Sequence, residues 1–282
     1  QYNKMTTINI SGITSIGSYA FYGCTKFSSL TMSTITTINN NAFEGCTGFS
    51  TLTIPTSVTS LGDSAFKGCT GLTSITWNKV QTIGNNAFQG CTKLTKLQLP
   101  DTVTTIGNYA FDGCILVDTL TFNKVTQIGS YAFRDCNKIT KVIIPSTVTK
   151  IQTNAFANID SLKNVTFHGL SEPSTCDNAA FSGSNMEFVD VYIGYSSPSF
   201  CGLKPRTKQA CGLTIADCEY NYNHEDNTLS ITGTGDMLDY TKGTAPWYAK
   251  REFVVSITIS GIKKVGNYAF SDCTKITTLS LP

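Results

Sequence analysis

Seven cysteines, at positions 24, 46, 69, 91, 114, 136 and 273, each stand three residues after a phenylalanine that itself follows an alanine. Thiols at so regular a spacing could form a redox or metal-binding array. The competing reading is a buried ladder of free thiols, because Cys is a small residue that often packs fully inside. Ile159 holds the same slot in one copy, where an aliphatic chain can serve packing alone, so the ladder reading is preferred. Four further cysteines, Cys176, Cys201, Cys211 and Cys218, fall outside that spacing and crowd a 43-residue irregular stretch. They are expected to pair as disulfides, in one of three connectivities, and so to mark an oxidising compartment. Zinc fits less well, since there is no Cys-x-x-Cys and the only histidines are His168 and His224. No metal or cofactor is expected.

Other chemistry is sparse. Neither histidine lies near a nucleophile motif, and His168 occupies a slot that holds Pro or Asn after other strands, which suits a turn. Gly233-Thr-Gly235 lacks the third glycine and the strand-to-helix setting of a dinucleotide loop. Asp236 and Asp239 could take calcium, but a turn is the better reading. The sequons Asn9-Ile-Ser11 and Asn164-Val-Thr166 are near chance for this composition. No catalytic residue is expected, and the chain is read as a non-enzyme. With 21 basic against 19 acidic residues and no basic tract, nucleic acid is excluded as a partner. No segment suggests direct membrane insertion. Low charge and abundant Thr and Ser suit an extracellular repeat protein.

The elements that position these residues follow from nine Ala-Phe pairs. The phenylalanines are Phe21, Phe43, Phe66, Phe88, Phe111, Phe133, Phe156, Phe181 and Phe270, the first eight spaced by 22, 23, 22, 23, 22, 23 and 25 residues. Such a period with apolar anchors marks a leucine-rich solenoid, in which each turn buries its apolar face against the next. Alternating pairs such as Leu52/Ile54, Ile75/Trp77 and Leu97/Leu99 predict one short strand per turn with both side chains inward. Pairs spaced by three, such as Val58/Leu61 and Val103/Ile106, predict a helical or 3₁₀-like return. Glycines at 17, 62, 84, 107 and 129 fit a backbone bend there. Copies of 23 residues carry Pro55, Pro100 or Pro145 after the strand, and copies of 22 do not, which predicts a tandem of two-turn units. The outward strand positions include Thr31, Thr53, Thr76, Lys96, Gln98, Thr121, Lys141 and Thr166, a polar surface that could bind a partner. Thr also simply suits exposed strand positions.

The unit L-x-I-P-x-x-V-x-x-I-G-x-x-A-F-x-x-C resembles the BspA-like, or Treponema pallidum type, leucine-rich repeats over roughly residues 5–190 and 256–282. Leu229–Tyr240 with Pro246-Trp247 is similar to the lead-in that precedes such arrays in this family. Val191-Tyr-Ile-Gly-Tyr195 and Phe200-Cys-Gly202 resemble array ends in its protist branch, as in trichomonads. The resemblance implies a surface protein that binds host matrix proteins or other cells, with no catalytic residue to carry over.

The expectation is therefore an α/β repeat: a right-handed, curved solenoid with short parallel strands on its concave face and 22–23-residue repeats. Residues 1–182 form the array, 183–210 its C-terminal cap, 211–255 the lead-in to a second array, and 256–282 that array's first turn. Both ends look cut from a longer protein. The expected function is non-catalytic protein binding or adhesion at the cell surface or after secretion, on the concave strand face. The alternative is an intracellular repeat scaffold in a cytoskeletal or ciliary assembly.

Overall fold

The computed structural model describes residues 6–10, 12–192, 195–210, 218–223, 226–242, 245 and 247–281. Two compact units result: Gln1–Asp190 with Ser196–Pro205, and Val191–Tyr195 with Arg206–Pro282.

In the first unit each turn supplies two extended segments. The first six of the longer ones pair in parallel two by two, and the last two pair with each other within a longer ladder. Thr7–Ile10 joins Ser29–Met32, Thr51–Thr53 joins Ser74–Thr76, Lys96–Gln98 joins Thr119–Thr121, and Lys141–Ile144 joins Asn164–Phe167. No ladder links Ser29–Met32 to Thr51–Thr53, Ser74–Thr76 to Lys96–Gln98, or Thr119–Thr121 to Lys141–Ile144. The grouping has the two-turn period that the 22/23 alternation predicts. The residue before Pro55 donates to Thr76 O at 2.9 Å and the residue before Pro100 to Thr121 O at 2.9 Å. Each proline then ends its strand, having no N–H to continue the ladder.

The shorter segments form one unbroken parallel sheet of eight two-residue strands, from Ser15–Ile16 to Thr175–Cys176. Here the return differs from the expected helical turn. The Val58 N–H closes a turn on Pro55 O at 3.1 Å, and the chain then extends through Ser60–Leu61. Among the described residues the single helical piece is the 3₁₀ turn Tyr248–Lys250. Bonding to adjacent turns satisfies the return's backbone groups without a helix.

The phenylalanines stack into a ladder. From Phe21 to Phe181, successive ring centroids lie 5.2–5.5 Å apart with planes within 4–11° of parallel. From Phe21 to Phe156, each Phe N–H donates to the Ala carbonyl of the next turn, as in Phe43 N to Ala65 O at 2.8 Å. The residue before every Ala-Phe except Ala180-Phe181 takes a left-handed conformation, for example Tyr109 with φ 57° and Asn154 with φ 56°. Gly62, Gly84, Gly107 and Gly129 do not have positive φ. Their role is close approach, because a Cβ at Gly84 would stand 2.6 Å from Leu61 O in the preceding turn. Phe200 covers the last rings, 4.7 Å from Phe167 and 6.3 Å from Phe181.

The second unit has its own core. Thr228–Thr232 pairs antiparallel with Glu219–Asn223 on one side and parallel with Ser256–Ser260 on the other, and Thr278–Ser280 extends the sheet in parallel. Trp247 fills the interior with Tyr220, Leu229, Ile231, Met237 and Ile257. Its ring lies 5.6 Å from Phe270, at 23°.

Candidate binding face

Hydroxyl groups divide the first unit's surface into two kinds. Away from the longer strands, Thr and Ser side chains donate to carbonyls of the preceding turn. Thr34 reaches Ile13 O at 2.7 Å, Thr73 reaches Ser50 O at 2.9 Å, Thr102 reaches Val80 O at 2.7 Å, and Thr126 reaches Thr104 O at 3.0 Å. Ser57 does the same to Ile35 O. These are stitches between turns, each stabilising by about 1 kcal/mol.

On the outward face of the longer strands the pattern reverses. Ser29, Thr31, Thr51, Thr53, Ser74, Thr76 and Thr121 are exposed, and among the described residues none of these hydroxyls bonds within the protein. Lys96, Gln98 and Lys141 are exposed alongside, with no internal partner. Parallel pairing sets adjacent turns about 4.8 Å apart, and alternate residues on a strand lie about 6.6 Å apart, so these groups form a grid. A grid of unengaged donors and acceptors can hydrogen-bond a partner's backbone or polar side chains. The strands alone do not show which threonines stitch and which are free, since the two kinds look alike in the sequence.

Thr166 departs from this face. It is 4% exposed, and its hydroxyl donates to Asn164 Oδ1 at 3.0 Å. The Asn164 amide nitrogen in turn donates to Asp190 at 2.6 Å. The row therefore turns inward at this end, Thr166 has no group to offer a ligand, and the Asn164 sequon has no free amide. The Asn9 side chain and Ser11 lie outside the described residues.

The in-phase cysteines sit elsewhere, in the core. Cys46, Cys69, Cys91, Cys114 and Cys136 each point the thiol at the carbonyl of the preceding ladder Phe, at 3.0–3.3 Å. Burial pushes Cys46 and Cys91 up to about 12 and raises Cys69, Cys114 and Cys136 as well. Such thiols are neither nucleophiles nor ready ligands. Cys24 and Cys273, nearer the surface, are also free. Ser184 takes the slot after Phe181, donating to Phe156 O at 2.9 Å and accepting from Ile159 N at 3.0 Å. Its position three residues after Phe181 is the signal that would have identified it.

Cys176 and Cys201 form a disulfide, with Cα atoms 4.9 Å apart. Cys218 is also disulfide-bonded, and Cys211 lies outside the described residues. Glu172 stands beside the Cys176–Cys201 bridge and accepts the Cys201 N–H at 2.6 Å. Sulfurs joined to each other are not thiolate ligands, so this trio ties the end of the array together. In the second unit, Asp239 accepts the Asn267 N–H at 2.9 Å and pairs with Lys264 at 3.1 Å, a turn role. His224 lies outside the described residues. No helix among the described residues is long and apolar enough to cross a membrane.

A parallel β-solenoid built on an Ala-Phe ladder is a leucine-rich-repeat fold. The chain belongs to the family of the BspA type leucine rich repeat region, whose model matches residues 1–91, 76–187 and 248–282 in six copies. A leucine-rich repeat protein from Bacteroides ovatus shares 21% identity over 98% of this chain and 79% of its own, with a TM-score of 0.50, which shows the fold. A leucine rich cell surface protein from Faecalibacterium prausnitzii shares 20% over 98% of this chain and 69% of its own, at a TM-score of 0.47. The T. pallidum leucine rich repeat protein shares 20% over 67% of this chain and 75% of its own, at 0.32. No curated protein matches it.

Proposed function

We propose that this protein is a non-catalytic protein-binding module of a cell-surface or secreted protein, and that it engages its partner across the outward face of the longer strands. The observation that carries this reading is the contrast in hydroxyl use. Thr and Ser elsewhere on the array stitch turns together, while those on the strand face have no internal work. Exposed polar groups with no internal partner can be traded to a ligand without breaking the fold. Membership of a leucine-rich-repeat family supports a binding role. The Cys176–Cys201 disulfide supports an oxidising location outside the cytosol.

The test is surface plasmon resonance over a panel of immobilised extracellular matrix proteins. Thr53→Arg combined with Thr76→Arg should cost at least about tenfold in affinity for any partner found, at unchanged melting temperature. Equal binding by the double variant sinks the strand-face assignment.

A further inference from the structure

We propose that a basic rim beside the strand face, centred on Ile115 and Leu116, takes an acidic peptide segment of the partner. This deepens, and rests on, the strand-face reading, because Lys96 and Lys141 belong to both surfaces.

The turn that leads into each longer strand has a fixed form. Leu94 N–H closes on Cys91 O, Val117 on Cys114 O and Ile139 on Cys136 O, each at 3.1 Å. The two residues between are Thr47-Gly48, Thr70-Gly71, Thr92-Lys93 and Asn137-Lys138, all polar or small. One turn differs, with Ile115 at 44% exposure and Leu116 at 41%. Nothing in the solenoid needs apolar chains there, since neighbouring turns fold without them.

Charge is gathered around this pair. Lys93 and Lys138 hold the slot of Leu116 one turn to either side. Lys96 and Lys141 start the strands of those same two turns, and Lys163 lies one turn beyond. All five are exposed, and among the described residues none has an ion-pair partner. Lys93 and Lys138 are two turns apart, about 10 Å at 4.8 Å per turn. A carboxylate on each with an aliphatic side chain between them on Leu116 would fill the rim, a pattern of acid, apolar residue and acid.

Asp118 and Asp160 decide between a peptide and a lipid surface. Both are exposed among the lysines. A continuous anionic surface would meet their repulsion, whereas a single peptide can pass its carboxylates beside them. Asp118 is held by the Thr119 hydroxyl at 2.8 Å.

The experiment selects binders to the intact protein from a random peptide display library. It then measures them by fluorescence polarisation against two variant pairs. Ile115→Thr with Leu116→Gly, and Lys93→Ser with Lys138→Ser, install residues already found in those slots at Thr70-Gly71 and Ser161, so folding is preserved. Thr53→Arg with Thr76→Arg is the comparison. The expected result is acidic, aliphatic-containing peptides that lose at least about tenfold affinity on both rim pairs and weaken steeply with salt. Peptides lost only on the threonine pair overturn the rim while leaving the strand face standing. Peptides indifferent to all three pairs overturn both. Sedimentation with phosphatidylserine vesicles, or retention on heparin, that depends on the rim while no acidic peptide is selected also overturns it.

Discussion

The regular array and the first turn of the second unit solve one problem with different parts. In the array, Phe43 presents its ring to Phe66 and its backbone N–H to Ala65 O at 2.8 Å. In the second unit, Trp247 stacks on Phe270, and its indole N–H donates to Ala269 O at 2.6 Å. One side chain supplies both the ring and the donor. The edge keeps the array's own device, a side-chain oxygen that accepts a backbone N–H one turn on. Within the array, Asn40 Oδ1 accepts Asp63 N at 2.9 Å and Asn85 Oδ1 accepts Asn108 N at 2.8 Å. In the second unit, Asp239 accepts Asn267 N at 2.9 Å. An irregular lead-in can thus template a regular turn by offering an indole N–H where a repeat would offer a backbone donor, with the same side-chain acceptor at the edge.

Removing those parts tests the equivalence. Trp247→Ala should cost about 3–5 kcal/mol, as for a buried aromatic. In hydrogen exchange, amides of Ile257–Ile259 should lose protection while those of the first unit keep it; retained protection would show that the indole is not the template. Trp247→Phe keeps the ring and drops the donor, and should cost about 1–3 kcal/mol by urea melt.

Next comes Asp112, 4% exposed, which takes two bonds from Arg134 at 2.8 Å and one from Gln89 at 2.9 Å. Arg134→Ala strands a buried carboxylate. Arg134 is itself about one-third exposed, so the expected loss is about 1–2 kcal/mol, below that for a fully buried pair. A chemical melt with no shift would show that water replaces the guanidinium.

The thiol ladder should respond less. Ser184 already fills a Cys slot, so Cys114→Ser should stay within about 1 kcal/mol of the parent, while Cys114→Ala removes the buried sulfur from the Phe88 carbonyl, which keeps the Cys91 N–H at 3.1 Å, and should cost about 1 kcal/mol. Alkylation at pH 8 gives a second readout. Cys273 should react first in the native protein, and the raised thiols of Cys46 and Cys91 should stay silent until denaturant is added. Seven adducts without reduction and 11 after it is the expected mass pattern. The smallest effects separate the two kinds of hydroxyl. Thr126→Val should cost about 1 kcal/mol and Thr53→Val under about 0.5 kcal/mol, and equal losses would erase the distinction.

The period and the ladder were legible in the chain because Phe and Cys recur at fixed offsets and pack the same way each time. Trp247 was legible only as part of a lead-in, since its indole bond depends on where the sheet places Ala269. The glycines were legible as a bend and not as a close approach, for a physical reason. Absence of a side chain serves positive φ and close approach equally, and at Gly84 the need is space beside Leu61 O. The left-handed residue lies two positions later, where Tyr19, Tyr109 and Tyr131 give no compositional hint. The i, i+3 spacing of Val58 and Leu61 resembles a helix, yet bonds to neighbouring turns fix an extended return. Which hydroxyls are left unengaged was not legible, because a stitch and a free hydroxyl differ only in what lies 3 Å away.

The pairing of longer strands two by two has a mechanical meaning. A stack with a weaker joint at every second turn, pulled along its axis, parts at those joints first. Each event then frees 45 residues, the separation of Phe43 and Phe88, rather than one repeat. At about 3.5 Å per extended residue this lengthens the chain by about 150 Å. Single-molecule pulling would read a two-turn array as steps of that size, and a uniform one as steps of half.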